Sequence, residues 1–179
     1  RTRHGTEQPL AQSHARMTDP ASIFARPATV EDLKLLLGSL NEHGVDYVLI
    51  GGYALYALGY QRGTVDIDLV LSPTRDQGER TRKALLALPD GVARELDPNW
   101  FVDGETIRVA DAFVFDLMFN ACGETYESLK PYAITIDFEG IPVRTLNIEG
   151  LLKTKQTTRE KDKLDRNVLE RALRELTGR

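Results

Sequence analysis

An intramolecular disulfide is excluded, because the 179 residues include one cysteine, Cys122. That scarcity fits a reducing, cytoplasmic setting. Cys122 follows an apolar strand and is expected to be inert packing. Long apolar runs are also missing. No stretch approaches the ~20 residues needed to cross a bilayer, and the amino terminus lacks the apolar core of a signal peptide. There is no strong charge of one sign either. Net charge is −4, which argues against a dedicated nucleic-acid binder while leaving room for a local basic stripe. Low-complexity segments and internal repeats are absent.

What is present suits a soluble α/β (α+β) domain: 41% hydrophobic and 28% charged residues in a length that can bury one core. Residues 1–16 are polar and non-periodic and immediately precede Met17. They read as a disordered or vector-derived leader, so His4 and His14 are set aside. Residues 17–179 are then one domain, with an α/β core over 28–146 and carboxy-terminal helices over 147–179.

Thr29-Val30-Glu31-Asp32 has the form of a capping box. It opens a helix whose apolar face is Leu33, Leu36, Leu37 and Leu40. Gly44 ends it, and His43 caps its last turn. Strands are expected at Tyr47–Ile50, Val65–Leu71, Ile107–Val109, Ala112–Phe119 and Ile134–Phe138. Helices are expected at Tyr53–Leu58, Arg75–Leu88 and Glu124–Leu129. Turns fall at Pro89-Asp90-Gly91, Ala110-Asp111 and Glu139-Gly140. Asn147 caps a further helix, and the last helix carries a stripe of Leu164, Val168, Ala172 and Leu176, with Leu169 and Leu173 beside it.

Chemistry concentrates between these elements. The strand at Tyr47–Ile50 runs into Gly51-Gly52, and glycines after a strand let backbone N–H groups approach an anion such as a phosphate. Downstream, Asp66 and Asp68 stand one residue apart on a strand, so they project from one face. Such a pair is costly when buried unless a cation binds it, and Mg2+ prefers oxygen ligands of this kind. A site for two divalent ions needs more negative charge, which asks for a third acid on a neighbouring strand. Asp116 fits, as the only charge inside Phe113-Val114-Phe115-Asp116-Leu117-Met118-Phe119. Each feature alone is weak evidence. Their combination, in this order, points to a metal-bound nucleoside triphosphate.

Gly51-Gly52, a spacer, Asp66-Ile67-Asp68 and the later Asp116 resemble the signature of nucleotidyltransferases of the DNA polymerase β type. The similarity runs from about Val45 to Asp165. It is nearest to minimal nucleotidyltransferases, antibiotic nucleotidyltransferases and AbiEii-like toxins of toxin–antitoxin systems. Gly52 stands where many relatives have serine, which leaves backbone donors in place. The resemblance implies a nucleotidyltransferase fold: a mixed β-sheet flanked by helices, with a short carboxy-terminal helical segment. It implies that Asp66, Asp68 and Asp116 bind two Mg2+ ions, with Mn2+ as an alternative, and that Asp116 also activates the acceptor hydroxyl. Gly51 and Gly52 would contact the triphosphate, a nucleoside monophosphate would be transferred, and pyrophosphate would leave.

Lys155 and Arg159 are four residues apart and, on a helix, would share a face. With Asp162 they resemble the Lys-x-x-x-Arg-x-x-Asp segment of the AbiEii-like group, where the cations meet the triphosphate. The roles of Lys153, Lys161 and Asp162 stay open, since an exposed charged helix would carry the same residues. Arg62 and Thr64 lie close enough to the acid pair to reach substrate or to brace its loop. Trp100 and Phe101 are read as core before base-stacking. Expected acceptors are an RNA 3′ end such as that of tRNA, a protein hydroxyl or an antibiotic, with a cognate antitoxin as partner if the protein is a toxin. The competing reading is a catalytically idle partner module or antitoxin-like subunit.

Overall fold

The computed structural model describes residues 25–60 and 66–178. The expected leader at 1–16, and the candidate residues Arg62 and Thr64, lie outside them. Helix α1 (Val30–Glu42) starts where the capping box places it: Thr29 Oγ1 accepts from the Asp32 N–H, and the Asp32 carboxylate accepts from the Thr29 N–H. Its Leu33, Leu36, Leu37 and Leu40 are fully buried. Gly44, at φ +64°, turns the chain into strand β1 (Tyr47–Ile50). His43 Nδ1 lies 2.8 Å from the Ser39 carbonyl, in keeping with a capping role.

A mixed six-stranded sheet carries the fold, ordered β3-β4-β2-β1-β6-β5. Its members are β1, β2 (Ile67–Leu71), β3 (Ile107–Ala110), β4 (Val114–Met118), β5 (Ala133–Phe138) and β6 (Ile141–Leu146). The pairs β1–β2, β3–β4 and β5–β6 are antiparallel, whereas β2–β4 and β1–β6 are parallel. The central strands are short and apolar because both faces are covered. Tyr47, Leu49, Ile67, Leu69, Phe115 and Leu117 are all fully buried. Helix α2 (Gly51–Ala57) packs on β1 and β2, while α1 packs on β6 and on α3 (Arg75–Leu85). Short helices α4 (Trp100–Asp103) and α5 (Tyr126–Leu129) cover the remaining core. Phe101 is fully buried with its ring edge-on to Phe119, as core packing requires.

Three expectations are corrected. Strand β6 is an addition: the turn at Glu139-Gly140 continues into a strand that pairs with β5 and also lies beside β1. Pro142 and Arg144 break its apolar pattern, yet Thr145 Oγ1 donates to the Leu49 carbonyl at 2.8 Å. Secondly, Lys155 and Arg159 do not share a helix. Helix α6 (Ile148–Lys153) ends before them and α7 (Glu160–Thr177) begins after them, so both stand on the connecting loop. Arg166 supplies the reason, donating to the Lys155 and Thr157 carbonyls and holding the loop open-wound. Thirdly, the buried stripe of α7 is Asp162, Asp165, Leu169 and Ala172. Leu164, Val168 and Leu176 are exposed at 66%, 45% and 76%. The inward face includes two acids because it closes around Lys155.

Candidate functional site

Strand register brings the expected acids together. Asp68 on β2 lies opposite Asp116 on β4, so the two side chains share one face of the sheet on adjacent strands. Asp66 lies just before β2. On the other side of Asp68, β1 ends at Ile50, its register partner, and the chain enters α2 through Gly51. That glycine has φ +71°, and a Cβ built on it would stand 2.3 Å from Asp68 Oδ2. Any side chain there would have to displace the Asp68 carboxylate and adopt a positive φ, so glycine is strongly favoured. The Gly51 backbone is therefore pressed against the Asp68 carboxylate, at the end of a helix where N–H groups lack intrahelical acceptors.

The acids carry the electrostatic signature of crowding. Burial, and then the neighbouring Asp66, push the Asp68 carboxyl above its ordinary value, opposed by Lys155, Lys161 and Arg108. Burial raises Asp116 to about 6, opposed by Arg108 and reinforced by Asp68 and Asp66. A cation at this place would relieve both groups. Two carboxylates on neighbouring strands supply hard oxygen donors, so the residues fit Mg2+ or Mn2+. As the side chains stand, no three metal-ligating groups among the described residues are gathered to hold one ion.

A guanidinium is there instead. Arg108 on β3 is the register partner of Asp116. Its Nη1 donates to both Asp116 carboxylate oxygens, at 3.2 and 3.0 Å, and its Nη2 donates to Asp66 Oδ2 at 3.3 Å. Arg108 is the residue that sequence reasoning missed. A signal for it existed: a lone cation in Ile107-Arg108-Val109 precedes, across one turn, a lone acid in the next apolar strand.

A cleft of about 230 Å³ opens beside Asp68 and gathers Gly51, Lys155, Arg159, Thr157, Asn120 and Cys122 along its walls. Four expected residues thus meet: Gly51, Asp68, Lys155 and Arg159. Gly52 is buried in the first turn of α2 behind them. Lys155 is held from the protein side, its Nζ 3.2 Å from Asp162 Oδ1 and 3.0 Å from Asp165 Oδ2. Burial pushes the Asp162 carboxyl up, but hydrogen bonds from Thr157 and Lys155 prevail and keep it below its ordinary value. Arg159 is exposed and forms the N-cap of α7 through its backbone. Lys153 lies 3.8 Å from Glu124 and over the Tyr132 ring. Cys122 is exposed rather than packed, has φ 54°, and its thiol donates to the Thr154 carbonyl at 3.2 Å. The expectation of inert packing fails there because the strand has ended and the chain is turning over the cleft.

A larger groove, of about 340 Å³, is lined by Leu58, Ile134, Ile148, Leu173 and Leu176 with Glu149 as its one charged residue. It offers no paired acids and no phosphate-sized cradle, so the acid-lined cleft is the candidate site. No helix among the described residues is long and apolar enough to cross a membrane. No protein-family model matches this chain, and no curated protein matches it significantly.

Proposed function

We propose that this protein is a metal-dependent nucleotidyltransferase, moving a nucleoside monophosphate from an NTP to a hydroxyl acceptor. One observation carries the reading: Asp68 and Asp116 face each other in register while Gly51, at positive φ, is packed so closely against Asp68 that a side chain would have to displace the carboxylate. A structural acid needs no such cradle. A triphosphate approaching a carboxylate-bound cation does, because backbone donors must come close to the phosphates.

In this reading Asp66 and Asp68 would hold one Mg2+ and Asp116 would help to hold a second. When bound, the ions neutralise phosphate charge and stabilise the charge that builds on the transition-state oxygens. Gly51 and Gly52 present backbone N–H groups to the β- and γ-phosphates. Lys155 and Arg159 place positive charge along the same cleft, Lys155 as a buried charge held by its two acids and Arg159 as an exposed one. The acceptor oxygen attacks the α-phosphorus, the bond to the bridging β-phosphate oxygen breaks, and pyrophosphate leaves. The acceptor proton passes to Asp116, the acid of the cluster that faces Asp68 in register. Acceptors remain an RNA 3′ end, a protein hydroxyl or a small molecule such as an antibiotic. A toxin acting on tRNA or protein ranks first on the Lys155–Arg159–Asp162 segment.

The test is pyrophosphate release from each NTP with Mg2+ in the presence of total RNA and protein, followed by mass spectrometry of both. Full activity in Asp68→Asn would exclude the assignment. One observation favours an idle binding module: Arg108 already compensates Asp116 and Asp66 without a metal. Calorimetry with ATP, CTP, GTP and UTP separates the two, since a module of that kind binds none of them in a metal-dependent way.

A further inference from the structure

Resting on the nucleotidyltransferase reading, we propose that Arg108 is the resident counter-cation of the acid cluster and competes with the divalent ion for it. The geometry sets the two occupants in competition at Asp116 and Asp66. Arg108 Nη1 engages both oxygens of Asp116, and Nη2 engages Asp66, so its planar fork covers two of the three carboxylates from one side. A divalent ion shared by those carboxylates needs the same oxygens. Arg108 and a divalent ion therefore draw on the same oxygens of Asp116 and Asp66, and each repels the other.

Arg108 is also built to leave. It stands on β3, the edge strand of the sheet, with 40% of its side chain exposed. A guanidinium so placed can exchange its carboxylates for water or for a phosphate at little cost, because its bonds are only half screened from solvent. The consequence for the free protein is that two of the three crowded acids, Asp66 and Asp116, are held without metal. The consequence for loading is that metal affinity is set by a competition, and a triphosphate that offers Arg108 a new anionic partner would favour the metal-bound arrangement. Binding of metal and nucleotide would then be mutually reinforcing, by linkage.

Mn2+ binding to the full chain, followed by electron paramagnetic resonance without nucleotide, tests this. Titrations at pH 8 keep Asp116 ionised, above its value of about 6. Arg108→Gln is expected to bind Mn2+ roughly tenfold more tightly than the unaltered protein, and Arg108→Lys, which keeps charge but loses the fork, to fall between them. Asp68→Asn is expected to weaken binding in every background. Equal or weaker binding in Arg108→Gln, with Asp68→Asn still weakening it, would overturn the competition while leaving the metal site standing. Mn2+ binding that ignores Asp68→Asn, or no binding at all, would overturn the nucleotidyltransferase reading and this inference with it. If Arg108→Gln does not fold, as judged by its thermal transition, Arg108→Lys carries the test, with an expected tightening of about threefold.

Discussion

Arg108 and Lys155 each hold two carboxylates, but on different terms. Arg108 reaches Asp116 and Asp66 from an edge strand with 40% of its side chain exposed. Lys155 reaches Asp162 and Asp165 with only 8% exposed, inside a loop tied down by Arg166 and Thr157. The same ion-pair chemistry therefore has two uses. Around Lys155, removing one member strands the others away from water, so the cluster belongs to the fold. Around Arg108 the acids outnumber the cation and two of them are held above their ordinary proton affinity, so the cluster is a poor stabiliser and a good receptor.

The largest effect that would break this contrast is on catalysis. Asp68→Asn and Asp116→Asn are each expected to lower nucleotidyl transfer by about 10²–10³-fold or more. Neither should lower the thermal midpoint at pH 7, because each removes a carboxylate the fold holds at a cost. A cooperative loss of structure in Asp68→Asn would mean that the acids are structural after all.

Lys155→Met is expected to do the reverse in kind. It leaves Asp162 and Asp165 facing each other without the ammonium they share, at a cost of about 3 kcal/mol in urea unfolding at unchanged slope. An unchanged unfolding midpoint would demote Lys155 from an internal brace to an exchangeable surface charge.

Gly51→Ala tests the seam between the two regions. The added methyl must displace the Asp68 carboxylate, and the backbone is at φ +71°. A stability loss of about 1–2 kcal/mol is expected, together with loss of metal-dependent NTP binding by calorimetry. Retained binding would show that the cradle is a turn and nothing more.

The smallest effect is in pH dependence. Asp116 in the folded protein titrates at about 6, above the ~3.9 of an unfolded aspartate. Between those values the folded state binds more protons, so this group makes stability fall as pH rises from about 4 to about 6. The difference in unfolding free energy between pH 7 and pH 4.5 should therefore shift by up to about 1–2 kcal/mol in favour of neutral pH in Asp116→Asn. An identical pH–stability curve in both proteins would remove Asp116 from the crowded cluster.

The helix α1 and the strand β1 were legible because each is local. A capping box and an apolar run into glycine state their conformation within a few residues, whereas of the acid pair expected on one strand only Asp68 stands on β2, with Asp66 just before it. Strand β6 was not, since Pro142 and Arg144 hide a strand whose stability comes from pairing with β5 and β1. The α7 stripe was misread for a related reason. Hydrophobicity named Leu164, Val168 and Leu176, whereas the interior at that place is a lysine, and acids are what a buried lysine needs.

By itself, the chain determined that three aspartates lie on neighbouring apolar segments near a glycine pair, because residue type and period are local properties. Tertiary structure alone decided that Asp68 and Asp116 stand in register, that Gly51 touches Asp68, and that Arg108 covers the acids while Lys155 is locked by its own. Those are cross-strand and loop-to-helix contacts. They depend on how distant segments pair, and no window of sequence contains both partners.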